Sequence, residues 1–137
     1  MNSDVNQASM KVDIILSDGF VMTELSGVVD VLRLANRVVD KKMFTFRYVS
    51  PEAGIVKSSA DTWLNASALS NNPDADIAVF LGNSDLNFTS REIEKAVHKY
   101  RYTNAKVVLL AEAAAIYISA NSDDGFGHTT HWENRCY

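Results

Sequence analysis

Residues able to do chemistry stand at four places: Glu24, Gly82-Asn83, Ala111-Glu112, and an end segment holding His128 and His131. Glu24 follows a short apolar run and a turn. There a carboxylate serves either as a site acid or as the partner of a helix's positive end. Gly82-Asn83 closes a second apolar run. Backbone N–H groups in such a turn hold an anion or oxyanion, unless the turn is a plain connection. Leu110-Ala111-Glu112-Ala113 joins a third apolar run to an alanine-rich segment. In hydrolases that junction carries a nucleophilic Ser or Cys on a sharp turn. Alanine supplies no nucleophile, and simple continuity from strand to helix is the alternative.

The remaining candidates are weaker. His128 and His131 lie three apart beside Trp132 but lack a third ligand at workable spacing, so no metal is expected. His131 reads instead as a core or site histidine, and His98 as a solvated residue of a charged helix face. Cys136 is the one cysteine, which excludes an internal disulfide and a multi-cysteine zinc site. Neither glycine-rich phosphate pattern occurs, and no cofactor is expected.

The elements that must position these residues follow from apolar periodicity. Lys11–Ser17 is a β-branched run ending at the turn signal Asp18-Gly19. Leu25, Val28, Val29, Val31, Leu32, Leu34 and Ala35 recur at helical spacing up to about Val39. Phe44–Val49 alternates as a strand does, Ser50–Gly54 is a turn, and Ile55–Ser58 is a short strand. Asp61–Asn72 reads as irregular. Asp76–Leu81 and Lys106–Leu110 are two further strands, expected to be buried. Thr89 and Glu92 form a capping box for a helix from Ser90 to about Tyr102. Ala111–Ile118 is a strong helix former, and Gly125–Gly127 is a last turn. Strands alternating with helices predict an α/β sandwich around a mostly parallel sheet. Its ligands bind at the carboxyl ends of the strands.

A chain of 137 residues is expected to be one domain, residues 11–137, behind a polar, disordered tail, residues 1–10. The net charge of −4 argues against this chain itself gripping nucleic acid, which needs a clustered basic surface. No apolar run approaches the ~20 residues of a membrane span, and the first residues lack a signal-peptide pattern. A cytoplasmic protein with no membrane partner is the expectation.

Several segments together resemble the ThiJ/PfpI superfamily, a branch of the class I glutamine-amidotransferase-like fold. They are Asp18-Gly19-Phe20, Glu24, and Gly27-Val-Val-Asp30-Val-Leu-Arg33 with Ala35-Asn36-Arg37. The string from Val29 to Arg37 is most similar to the amino-terminal domain of GlxA-type AraC-family transcriptional regulators. Val49–Ser59 resembles that group's second and third strands. Thr129-Thr130-His131-Trp132 resembles its Ala-Thr-Thr-His-Trp motif. The likeness runs from about residue 11 to 132.

The resemblance implies a flavodoxin-like three-layer sandwich. The family's enzymes carry a catalytic cysteine 20 residues before the motif histidine, which here is Ala111. The family's Cys-x-Gly reads Ala111-Glu112-Ala113, its glycine pair reads Gly82-Asn83, and its partner carboxylate maps to Glu24. Cys136, beyond His131 and in no such turn, does not replace the missing thiol. The implied protein is therefore not an enzyme. It is a sensing and dimerising domain whose cleft is lined by Glu24, Gly82, Asn83, Ala111, Glu112 and His131. The implied effector is a small molecule, amino-acid-like or a quaternary amine, and the implied assembly is a homodimer. The family domain continues past the Thr-Thr-His string and then carries helix-turn-helix units that bind DNA. The expectation is a domain truncated at its carboxyl end, with DNA binding left to the missing part. The alternatives are a PfpI-type cysteine hydrolase or glyoxalase-like enzyme, and a purely structural dimerisation module.

Overall fold

In the computed structural model of the protein, which describes residues 9–39, 42–83 and 90–120, every apolar run becomes a strand of one sheet. The chain order is β1 (Met10–Ile15), α1 (Met22–Val38), β2 (Phe44–Ser50), β3 (Gly54–Lys57), β4 (Trp63–Ala68), β5 (Ile77–Phe80), α2 (Ser90–Tyr102), β6 (Lys106–Leu109) and α3 (Ala111–Ala120). The six strands lie in the order β3-β4-β2-β1-β5-β6. All neighbours pair in parallel except the β3–β4 hairpin.

Side chains alternate between the two faces of a strand, so β1 feeds two cores. Val12, Ile14 and Leu16 join Val79 and Leu81, and α1 covers them with Leu25, Val28, Val29 and Leu32. Ile15 joins Val49, Ala78 and Phe80 under Ile93, Ala96, Val97 and Tyr100 of α2 and Ala113 of α3. Helices on both faces make the three-layer α/β sandwich that the flavodoxin-like expectation describes.

An acid breaks the apolar pattern of β1. Asp13 is 1% exposed, and its carboxylate takes three hydrogen bonds. Arg47 of β2 donates through Nε at 2.7 Å and Nη2 at 3.1 Å, and the Tyr100 phenol of α2 donates at 2.7 Å. A buried charge is tolerated only when paired and hydrogen-bonded in this way. Burial, and then the bond to Asp13, pushes the Tyr100 phenol well above its usual range. On the opposite face, Asn36 ties the far end of α1 to the sheet. Its amide donates to the Phe44 carbonyl at 2.9 Å and accepts the Phe44 N–H at 2.8 Å.

Two expectations need correction. The stretch from Asp61 to Asn72 is not irregular throughout, because it contains β4, paired with β3 from Lys57↔Trp63 to Gly54↔Ala66. Only Leu64 and Ala66 of β4 face the core, so the apolar signal is slight. The run at Lys106 is a strand but not a buried one. β6 is the last strand in the sheet order, and its Val108 is 41% exposed. Met10, assigned to the tail from sequence, opens β1. The Thr89 half of the capping box, the Gly125–Gly127 turn, His128, His131 and Cys136 lie outside the described residues. Among the described residues no helix is long and apolar enough to cross a membrane.

Tyr100→Phe removes one donor from a buried carboxylate and is expected to cost about 2 kcal/mol in urea unfolding at neutral pH. A raised folded pKa contributes stability below the unfolded value, near 10, and loses it as the pH rises beyond. The stability gap between wild type and Tyr100→Phe should therefore narrow above about pH 10.

Candidate functional site

The parallel strands bring their carboxyl ends to one edge of the sheet. Hydrogen bonds carry each pairing one step past the strands: Leu16 N–H to Val49 at 2.9 Å, Leu81 N–H to Ile15 at 3.0 Å and Leu110 N–H to Phe80 at 3.0 Å. Continuing the register sets Pro51, Ser17, Gly82 and Ala111 in a row across β2, β1, β5 and β6. Neighbouring strands are about 5 Å apart, so this row is the floor of the site.

Glu24 stands in the first turn of α1, half-buried, and its Oε1 accepts the Gly82 N–H at 2.7 Å. The backbone donor expected to receive an anion is thus already bound to a carboxylate of the chain. Asn83 is buried, and its side-chain amide donates to Ser17 Oγ at 2.6 Å and to the Asp18 carbonyl. It locks the loop after β1 to the end of β5. That loop is a tight turn: Phe20 N–H reaches the Ser17 carbonyl at 3.0 Å, and Gly19 sits at φ 91°. This is the third position of a type II turn, where a side chain would be strained.

Ala111 opens α3 directly after β6 with φ 44°, a left-handed conformation unusual for alanine. Ala113 N–H and Ala114 N–H both return to the Leu110 carbonyl, at 3.0 and 3.4 Å. The chain therefore turns from strand to helix at one strained residue, the geometry of a nucleophile elbow. Such a conformation costs of order 1–3 kcal/mol, and the surrounding fold must impose it.

Of the cleft residues expected from sequence, Glu24, Gly82 and Asn83 meet through hydrogen bonds, and Ala111 lies level with Gly82. Glu112 is the second residue of α3. His131 lies outside the described residues. Sequence reasoning missed a neighbouring cleft of about 430 Å³ at the ends of β1 and β2. Ser17, Asp18, Ser50, Glu52 and Glu92 line it, and no Lys or Arg does. Asp18 Oδ1 also accepts the Lys57 N–H at 3.0 Å. Asp18 and Glu52 both stand in turns, the one legible signal that they flank strand ends. Among the described residues no group of three or more His, Cys, Asp or Glu side chains is placed to hold a metal ion.

This architecture, with its strand-to-helix elbow, is the fold of the ThiJ/PfpI superfamily. An AraC-family transcriptional regulator from Pseudomonas putida superimposes with a TM-score of 0.79 at 25% identity, over 92% of this chain and 69% of that one. A DJ-1 superfamily protein from Agrobacterium tumefaciens gives 0.67 at 18% identity, over 88% of this chain and 63% of that one. A ThiJ/PfpI domain protein from Brachyspira murdochii gives 0.68 at 12% identity, over 93% and 73%. The last two likenesses show the fold alone. No protein-family model matches the chain, and no curated protein matches it in sequence.

Two substitutions test the strained turn. Ala111→Gly should stabilise the protein by about 1 kcal/mol, since glycine adopts a positive φ without steric cost. Ala114→Gly, in an ordinary helical position, should destabilise it by about 1 kcal/mol. Glu24→Ala, which strips the Gly82 N–H of a charged acceptor, should cost about 1–2 kcal/mol. Chemical denaturation of all three reads the signs directly.

Proposed function

We propose that this chain is the non-catalytic sensing and dimerising domain of a GlxA-like, AraC-family transcriptional regulator. In this reading a small molecule binds at the carboxyl edge of the sheet, the domain pairs as a homodimer, and helix-turn-helix units outside this sequence contact DNA. The observation that carries it is Ala111. The backbone there keeps the strained turn that serves a nucleophile, while the side chain has nothing to donate or attack with. The likeness to the Pseudomonas putida regulator supports the same reading.

The effector in this reading is cationic or amine-bearing. Asp18, Glu52 and Glu92 line the adjoining cleft without a basic residue to neutralise them. Such a low-dielectric recess concentrates positively charged ligands. Glu24, already bound to the Gly82 N–H, marks the border of this cleft and the Ala111 turn. His131 and Glu112 complete the proposed lining, and the protein acts in the cytoplasm.

A thermal-shift screen with amino acids, primary amines and betaines checks this. A ligand at 100 times its Kd stabilises the native state by about 2.7 kcal/mol, a melting shift of several degrees. Glu52→Gln and Glu92→Gln should each reduce the shift produced by a cationic ligand. Turnover of methylglyoxal that disappears in Cys136→Ser would instead establish a thiol enzyme.

A further inference from the structure

The outer face of α1 is apolar, although its inner face already covers the sheet. Leu25, Val29, Leu32 and Asn36 face inward, whereas Val31, Leu34 and Val38 are 65%, 48% and 81% exposed. With Gly27 these three form one stripe at helical spacing, opposite the buried side. Val39 and Met43, beyond the end of the helix, are exposed as well. A stripe of this kind on an amphipathic helix marks an interaction surface.

We infer that this stripe is where two copies of the chain pair, through an antiparallel α1–α1 contact about a two-fold axis midway between Val31 and Leu34. The inference rests on the homodimer in the reading above and names its surface. Three complementarities single out a second copy. A two-fold axis at that midpoint sets Val31 against the second copy's Leu34. It sets Gly27 against the second copy's Val38, and a Cβ built at Gly27 meets nothing within 4 Å, so the recess there is open to a valine. It also brings Asp30 beside the second copy's Arg37. Asp30 and Arg37 are two turns apart on the same flank of the stripe, and the axis keeps that flank on one side of both helices. Each contact then occurs twice, as an isologous interface requires. Asp30 is held within its own helix only by Arg33, at 3.5 Å and exposed, a pairing easily exchanged for one across the interface.

Sedimentation of the full chain across a concentration series tests this, with circular dichroism to verify folding. Wild type should sediment as a reversible dimer. Val31→Asp and Leu34→Asp should raise the dimer dissociation constant at least tenfold. Asp30→Arg and Arg37→Asp, which change only exposed charge, should each weaken pairing several-fold, and the double variant should restore it. If dimers persist in Val31→Asp and Leu34→Asp, pairing uses another face: this inference falls and the proposed homodimer stands. If the double charge reversal gives no rescue, the antiparallel register is wrong. If wild type is monomeric at every concentration, the homodimer falls with its surface, while ligand stabilisation still decides the sensing role by itself.

Discussion

The fold depends on keeping one charge, that of Asp13, in the middle of its sheet. β1 has strands on both sides and helices on both faces, so an ionised side chain there has no water to rely on. Arg47 comes from the adjacent strand and Tyr100 from α2, and the two donors join the sheet to the layer above it. An apolar residue would fill the same space without fixing direction. The three directed bonds require β1, β2 and α2 to hold one mutual placement. Tyr100 also meets Phe80 edge-on, with ring centroids 6.0 Å apart, which carries the same constraint to β5.

With the strands fixed in register, the carboxyl edge becomes a level platform. Its two sides differ chemically. Toward β6 the strained Ala111 turn and the Glu24–Gly82 bond leave a backbone shape without a reacting group. Toward β2 and β3 a cleft of side-chain oxygens faces solvent. A site built on the first alone would imply covalent chemistry. Taken together, the two favour reversible recognition of a positively charged molecule.

The sequence disclosed what is local and missed what joins distant segments. The strands at Ile14, Val49, Val79 and Val108 were legible because apolar residues cluster in each, and the turn at Ala111 because a strand pattern passes straight into alanines. The edge strand at Trp63 was hidden, since half its side chains are polar and face solvent. Burial of the strand at Val108 was overestimated, because an apolar run reads alike at the centre and the rim of a sheet. Asp13 gave no sign of its role, as Arg47 is 34 and Tyr100 87 residues further along the chain. Glu24 and Gly82 were each singled out, but the bond between them spans 58 residues. The acidic cleft draws on separate segments, and no spacing in the sequence announces it.

The anchoring of α1 has a mechanical consequence. The helix is fastened near its start by Glu24 to the end of β5, and near its finish by Asn36 to the beginning of β2. The fasteners are twelve residues apart, about 18 Å along the axis. A rod held at two points cannot roll about its axis or slide without releasing one of them. Any displacement imposed on the Glu24 end must therefore tilt the entire rod, and its outward-facing valines swing with it.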